Sequence, residues 1–156
     1  MIRRGRPEDA DAIAEIWNAV IRDTTHTFGT VEKTPGELAA QIGAQPWFVA
    51  DTAGAVLGFV TWAQFRGGTG YVHTVEHSVH VAEAGRGRGI GRALMAQAEV
   101  AARAGGIHAM IAGVAGENTG GAAFHAALGF REVGRLPQVG WKFGRWHDLV
   151  LMQKLL

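Results

Sequence analysis

Cysteine is missing from this chain of 156 residues. That absence excludes disulfides, thiolate metal sites and a cysteine nucleophile together, and it fits a reducing compartment. Long apolar runs are missing too: no stretch approaches the ~20 apolar residues that cross a bilayer. The N-terminal MIRRGRPEDADAI carries arginines with no apolar run behind them, so it lacks the form of a secretory signal. An excess of one charge is also absent, with 15 Lys and Arg against 14 Asp and Glu and a formal net charge of +1. No general field draws in nucleic acid or a membrane surface. Internal repeats and low-complexity linkers are not found. The expectation is a cytoplasmic, soluble chain in which residues 1–156 form a single domain.

What is present is core material arranged in periods. Pro7 suits the first turn of a helix whose positive end attracts Glu8, Asp9 and Asp11. Ala10, Ile13, Trp17 and Val20 give that helix one apolar face. Residues 24–35 form a loop with Phe28 exposed among small polar residues, and 35–43 a short helix. Trp47–Ala50 and Ala55–Trp62 flank a DTAG turn as a hairpin. Residues 72–81, VHTVEHSVHV, are the longest strand candidate. Ile90, Leu94, Ala98 and Ala102 mark a helix that ends near Gly105 and Gly106. A buried strand covers 107–114, a helix Asn118 to Leu128, and two strands 130–138 and 146–153 around a loop rich in glycine and aromatics. The order β-α-α-β-β-β-α-β-α-β-β predicts a layered α/β domain.

The segment GRGRGIGRAL, residues 85–94, places glycines and arginines where a helix begins. The dinucleotide fingerprint G-x-G-x-x-G fails in both registers, because Arg92 and Ile90 stand where the third glycine is needed. A Walker loop fails as well, since no Gly-Lys pair occurs. Bare main chain at Gly87, Gly89 and Gly91, with the unpaired N–H groups and partial positive charge of a helix start, suits a pyrophosphate. The competing reading is a flexible turn with its arginines in water.

Arg86, Gly89 and Gly91 in R-x-x-G-x-G, followed by Asn118 and the Ala127-Leu128-Gly129-Phe130 helix end, resemble the two signatures of the GNAT acetyltransferases. TVEHSVHV, MIAGV, FHAALGFREVGRL and VGWKFGRWHDLVLMQ are similar to the phosphinothricin and methionine sulfoximine acetyltransferases, over nearly the whole chain. The resemblance implies a mixed, mostly antiparallel sheet of about seven strands flanked by four helices. It implies acetyl-CoA as cosubstrate, with its pyrophosphate on Arg86, Gly87, Arg88, Gly89, Ile90, Gly91 and Arg92. Its pantetheine arm would lie along Val79, His80 and Val81, with Asn118 against the same arm. The acceptor would be a small amino-acid-like amine, acetylated directly in a ternary complex by a homodimeric enzyme.

An amine attacks a thioester only with its lone pair free, so a base is required. Glu76, among β-branched residues in a strand, is that candidate, and the resemblance supports it. His125 stands where many GNAT enzymes place a tyrosine, and is the candidate proton donor to the departing thiolate. Phe28, Tyr71, Val72, His73 and Thr74 are expected at the acceptor, with the Trp141–Trp146 region. The similar enzymes often carry arginine where this chain has Val72, which weakens the case for an acidic acceptor, unless His73 or another basic residue compensates. His73-x-x-Glu76-His77 also matches a zinc-protease pattern. On a strand, however, residues four apart lie about 13 Å from each other, too far for one metal with bonds of about 2 Å. No metal is expected. The competing readings are a GNAT enzyme for an unrelated small amine, a non-catalytic CoA sensor or scaffold, and a nucleic-acid binder using Arg86, Arg88 and Arg92, which no interleaved aromatic supports.

Overall fold

Strands with one face toward each of two helical layers must pair along their edges. The computed structural model, which describes residues 1–156, shows one sheet in the order β1-β2-β3-β4-β5-β7-β6. The strands are β1 (Ile2–Arg4), β2 (Trp47–Thr52), β3 (Ala55–Gln64), β4 (Thr74–Val81), β5 (Ala109–Ala115), β6 (Arg131–Lys142) and β7 (Arg145–Leu155). The helices are α1 (Ala10–Asp23), α2 (Pro35–Ala44), α3 (Ile90–Ala104) and α4 (Thr119–Ala127). All neighbouring strands are antiparallel except β4 and β5. No helix is long and apolar enough to cross a membrane.

Each face of the sheet closes its own core. On one side Leu94, Met95 and Ala98 of α3 bury against Val60, Val75, Met110 and Met152. On the other, Ile13 of α1 and Leu38 of α2 bury against Val49 and Phe59. Their apolar positions recur every third or fourth residue, the spacing that turns one helix face toward the sheet. Thr34 caps α2 by accepting from the Glu37 N–H at 3.3 Å, while Glu37 Oε2 accepts from the Thr34 N–H at 3.2 Å. Asp9, expected only to favour the start of α1, is buried and takes both Nη atoms of Arg3 at 2.8 Å.

The expected glycine-aromatic loop before residue 146 is not a loop. β6 and β7 run on, pairing Trp141 with Trp146 and Lys142 with Arg145 across a two-residue turn. Phe143 and Gly144 both take positive φ, 53° and 71°. That is the twist a tight hairpin needs, and phenylalanine in the first position hides it from a reading by turn propensity.

Candidate active site

The loop between β4 and α3 is built to leave its amides free. Gly87 and Gly89 hold φ of 71° and 76°, a left-handed geometry that costs an L-residue roughly 1–2 kcal/mol. The first bond of α3 is Ala93 N–H to the Gly89 carbonyl at 3.0 Å. The main-chain N–H groups of Gly87, Arg88, Gly89, Ile90, Gly91 and Arg92 donate to nothing within the protein. A Cβ at Gly87 or Gly89 would meet open space, and one at Gly91 would press the Phe124 ring at 3.2 Å. Arg86, Arg88 and Arg92 are exposed, and no carboxylate pairs with them. Free amides, a helix start and unneutralised guanidinium groups together form a cradle for an anion.

Beside this cradle the sheet splits. β4 and β5 pair only through Thr74–Ala109, Val75–Met110 and Glu76–Ile111, although β4 continues to Val81 and β5 to Ala115. Beyond Glu76 the two strands bound an open wedge. Ala82 N–H donates to the Leu57 carbonyl at 2.8 Å. By alternation, the main chain of His80 and Ser78 also faces β3, while that of Val79 and Val81 faces the wedge. Val79 and Val81 thus offer a free strand edge. His80, expected with them, does not: its main chain serves β3, and its ring packs on Trp17 and Phe59, with centroids 5.9 and 5.5 Å away. Burial and the nearby His26 push that ring's pKa down to about 4.

Glu76 closes the paired end of the wedge. Its carboxylate lies over Gly113 of β5, where a Cβ would stand 3.6 Å from Glu76 Oε2. The residue as a whole is exposed, yet neighbouring chain partly desolvates its carboxyl group. That desolvation alone raises its pKa above the usual carboxylate range. No hydrogen bond or ion pair restrains its oxygens.

His77 and His125 form a buried pair on the opposite face. A carbonyl only accepts, so His125 Nδ1 carries a proton and donates to the Gly121 carbonyl at 2.8 Å. In the neutral ring His125 Nε2 then accepts from His77 Nε2 at 2.9 Å. His77 Nδ1 is left buried without a partner. Burial, reinforced by the neighbouring His125, pushes His77 down to about 3; burial also lowers His125. Both nitrogens of His125 have partners, the Gly121 carbonyl and His77, so the ring also fastens α4 to β4.

The other expected residues divide. Asn118 caps α4, its Oδ1 accepting from the Gly121 N–H at 2.9 Å, while its amide nitrogen makes no bond inside the protein. Thr74 shares the Glu76 face of β4. Tyr71 and Val72 are exposed in the turn before it. His73 is turned the other way, its Nδ1 donating to the Gly106 carbonyl at 2.8 Å, so it supplies no cation beside Glu76. His73 and His77 therefore serve separate partners. Phe28 is half-buried rather than exposed, stacked on His147 at 5.5 Å and 23°, over Gly140, where a Cβ would overlap its ring.

Sequence reasoning missed what holds the Phe28 loop. Lys142, 2% exposed, donates from Nζ to the Thr24 and Thr27 carbonyls at 2.7 and 2.8 Å. His147 Nε2 donates to the Lys142 carbonyl at 2.9 Å. The only available signal was a lysine and a histidine among the aromatics of GWKFGRWH.

Comparison with known proteins agrees with this geometry. The acetyltransferase (GNAT) family pattern matches residues 13–130. The L-methionine sulfoximine/L-methionine sulfone acetyltransferase of Salmonella typhimurium is 37% identical, over 97% of this chain and 92% of that protein. The phosphinothricin N-acetyltransferase of Streptomyces coelicolor is 34% identical, over 99% of this chain and 95% of its own. A Salmonella typhimurium acetyltransferase solved with its cofactor acetyl-CoA superposes with a TM-score of 0.96 at 35% identity, covering 100% of this chain and 93% of the other.

Proposed function

The chain belongs to the acetyltransferase (GNAT) family, and from that premise we propose that it moves the acetyl group of acetyl-CoA onto the amino group of a small amino acid of the methionine sulfone, methionine sulfoximine or phosphinothricin type. The observation that carries this reading is the run of unbonded amides from Gly87 to Arg92, which leads onto the free edge at Val81 and Val79 and ends beside Glu76.

Acetyl-CoA supplies the activated acetyl group. The Gly87–Arg92 amides and the arginines around them hold its pyrophosphate, with no side chain at Gly87 or Gly89 to block the approach. Val79 and Val81 pair with the pantetheine arm as a further strand would, and the free amide of Asn118 donates from the other wall. Val79 N–H faces the place where charge gathers on the acyl oxygen. Glu76 accepts the proton that the amine loses as its nitrogen bonds to the acyl carbon and the C–S bond breaks, directly or through a water. A raised carboxyl pKa makes it a better base than an ordinary glutamate. With no cysteine to carry the acetyl group, transfer is direct, within a ternary complex.

Phe28, Tyr71 and Thr74 border the acceptor. Val72, exposed where an arginine would add a cation, favours the neutral side chain of methionine sulfone over the anionic one of phosphinothricin. Residues 1–156 act as one catalytic domain, in the cytoplasm where acetyl-CoA is available, and as a homodimer. The exposed Val139, Trp141, Phe143 and Trp146 of the β6–β7 hairpin support the last point.

The test is thiol release from acetyl-CoA across a panel of methionine sulfone, methionine sulfoximine, phosphinothricin, ordinary amino acids and polyamines. Turnover with methionine sulfone or sulfoximine above the ordinary amino acids is expected. Tight CoA binding with no turnover on any amine would instead make the chain a CoA sensor.

A further inference from the structure

The segment between α1 and α2 crosses the mouth of the wedge and is fastened on both sides. On the β4 side, Asn18 of α1 holds Lys33 by two bonds: Nδ2 to the Lys33 carbonyl at 2.9 Å, and Lys33 N–H to Oδ1 at 2.7 Å. Trp17, one residue earlier, packs on Phe59 of β3 and on His80 of β4. On the β5 side the partner is Glu117, in the loop between β5 and α4. Thr25 Oγ1 donates to Glu117 Oε1. Arg145, at the start of β7, donates to both carboxylate oxygens, from Nη2 at 2.8 Å and Nη1 at 3.1 Å. His147 Nδ1 lies 3.7 Å away. One carboxylate thus joins three pieces of chain: the strap over the acceptor, the hairpin beneath Phe28, and the loop whose next residue is Asn118.

We propose that Glu117 is a positioning residue that couples the two substrates: coenzyme in the wedge settles the Asn118 loop, and Glu117 passes that order to the strap over the acceptor. The inference rests on the acetyltransferase reading above. Its physical ground is that the strap meets the β5 side through Glu117, through Lys142 and through Phe28 stacked on His147, and of these only Glu117 adjoins a proposed coenzyme contact, Asn118. The Arg145 guanidinium, then the Thr25 hydroxyl, hold its carboxyl down to about 2, so it stays ionised across the working range. Exposed ion pairs add little to global stability. Loss of Glu117 therefore leaves the fold standing and shows itself in how one ligand affects the other.

Coupling is read as a ratio of affinities and is the same from either ligand. CoA without its acetyl group permits titration of the best acceptor of the panel, by calorimetry, with no turnover. In the wild-type protein, saturating CoA is expected to tighten acceptor binding by about fivefold or more, within the usual span of coupling. In Glu117→Gln that ratio falls below about twofold, while CoA alone binds within about threefold of wild type. Thr25→Val, which leaves the Glu117–Arg145 pair intact but releases the strap, lowers the ratio too. In turnover, Glu117→Gln raises the acceptor KM at saturating acetyl-CoA and leaves kcat nearly unchanged. A wild-type ratio of one, or a wild-type ratio retained by both variants, overturns the inference. A wild-type protein that binds neither CoA nor any acceptor overturns the acetyltransferase reading instead.

Discussion

Glu76→Gln separates the chemistry of this site from its folding. The carboxylate has no hydrogen-bond or ion-pair partner, and desolvation alone raises its pKa. An amide of the same shape fits the space over Gly113 and breaks nothing. Ionised Glu76 is penalised in the folded state relative to the unfolded chain, so the native protein binds the proton more tightly at this position. Its contribution to stability therefore improves as pH falls through its folded pKa and is unfavourable above it. At pH 7 the glutamine variant is expected to unfold at the same temperature as wild type or slightly higher. Its activity moves the other way: loss of a general base lowers kcat/KM by about 10²–10⁴-fold. Two pH signatures accompany that loss. Wild-type kcat/KM falls on the acid side as Glu76 is protonated, and the variant lacks that limb. The deficit narrows toward alkaline pH, where bulk water deprotonates the amine. Thiol release and thermal unfolding from pH 5 to 10 measure all three. Activity within threefold of wild type at pH 7, in a fully folded variant, would refute the base assignment; a large drop in unfolding temperature would refute the view that the carboxylate is unpartnered.

Gly89→Ala forces an L-residue into the left-handed region with φ of 76°. With open space around the new methyl, the stability cost is the backbone term of about 1–2 kcal/mol. The acetyl-CoA KM should rise at least about tenfold, near the 1.4 kcal/mol that a decade represents; an unchanged KM in thiol-release kinetics removes the cradle. Val79→Pro deletes an N–H that faces the wedge rather than β3, so it costs no ladder bond. The variant should fold and lose CoA binding by calorimetry, and normal CoA affinity would contradict the edge pairing. Burial depresses His77 to about 3 and His80 to about 4, against about 6.5 in the unfolded chain. The unfolded state takes up the protons first, so stability is full above about pH 6.5 and is lost as pH falls toward the folded values. At pH 5 the loss is about 2 kcal/mol per histidine. His80→Phe should flatten the fall in unfolding temperature between pH 7 and 5, and an unaltered slope would count against a neutral buried ring.

Features carried by neighbouring residues were legible in the sequence. The cradle is one: Gly87, Gly89 and the start of α3 lie within a single turn of chain, and their meaning comes from missing side chains and a helix start. The order of elements is another, because the Ile13 and Leu94 helix faces and the β-branched runs declare their periods locally. Legibility fails where distant segments meet. Phe28 looked exposed because its immediate neighbours are small and polar, whereas its stacking partner is His147. Lys142 drew no reading from the sequence because the carbonyls it serves, Thr24 and Thr27, lie far back in the chain. The second partner of His125 was hidden because His77 stands on another element.

The split between β4 and β5 belongs to that second kind, yet it gives β4 its division of labour. A strand alternates in two ways at once: side chains change face, and main-chain groups change edge, at every residue. Glu76, Ser78 and His80 point their side chains toward α1 and their amides toward β3. His77, Val79 and Val81 point their side chains toward α3 and α4 and their amides toward the wedge. Under the proposed roles, adjacent residues take opposite tasks, with proton removal on one parity and the coenzyme edge on the other. What fixes the parity is the unbroken pairing of β4 with β3, from Val75 opposite Gln64 to Val81 opposite Gly58. A slip of one residue would send the Glu76 carboxylate into the core beneath α3 and bring His77 to the amine. On the proposed roles, a base on one face and a bare edge three and five residues later constrain the whole β3–β4 register, including residues that touch neither substrate.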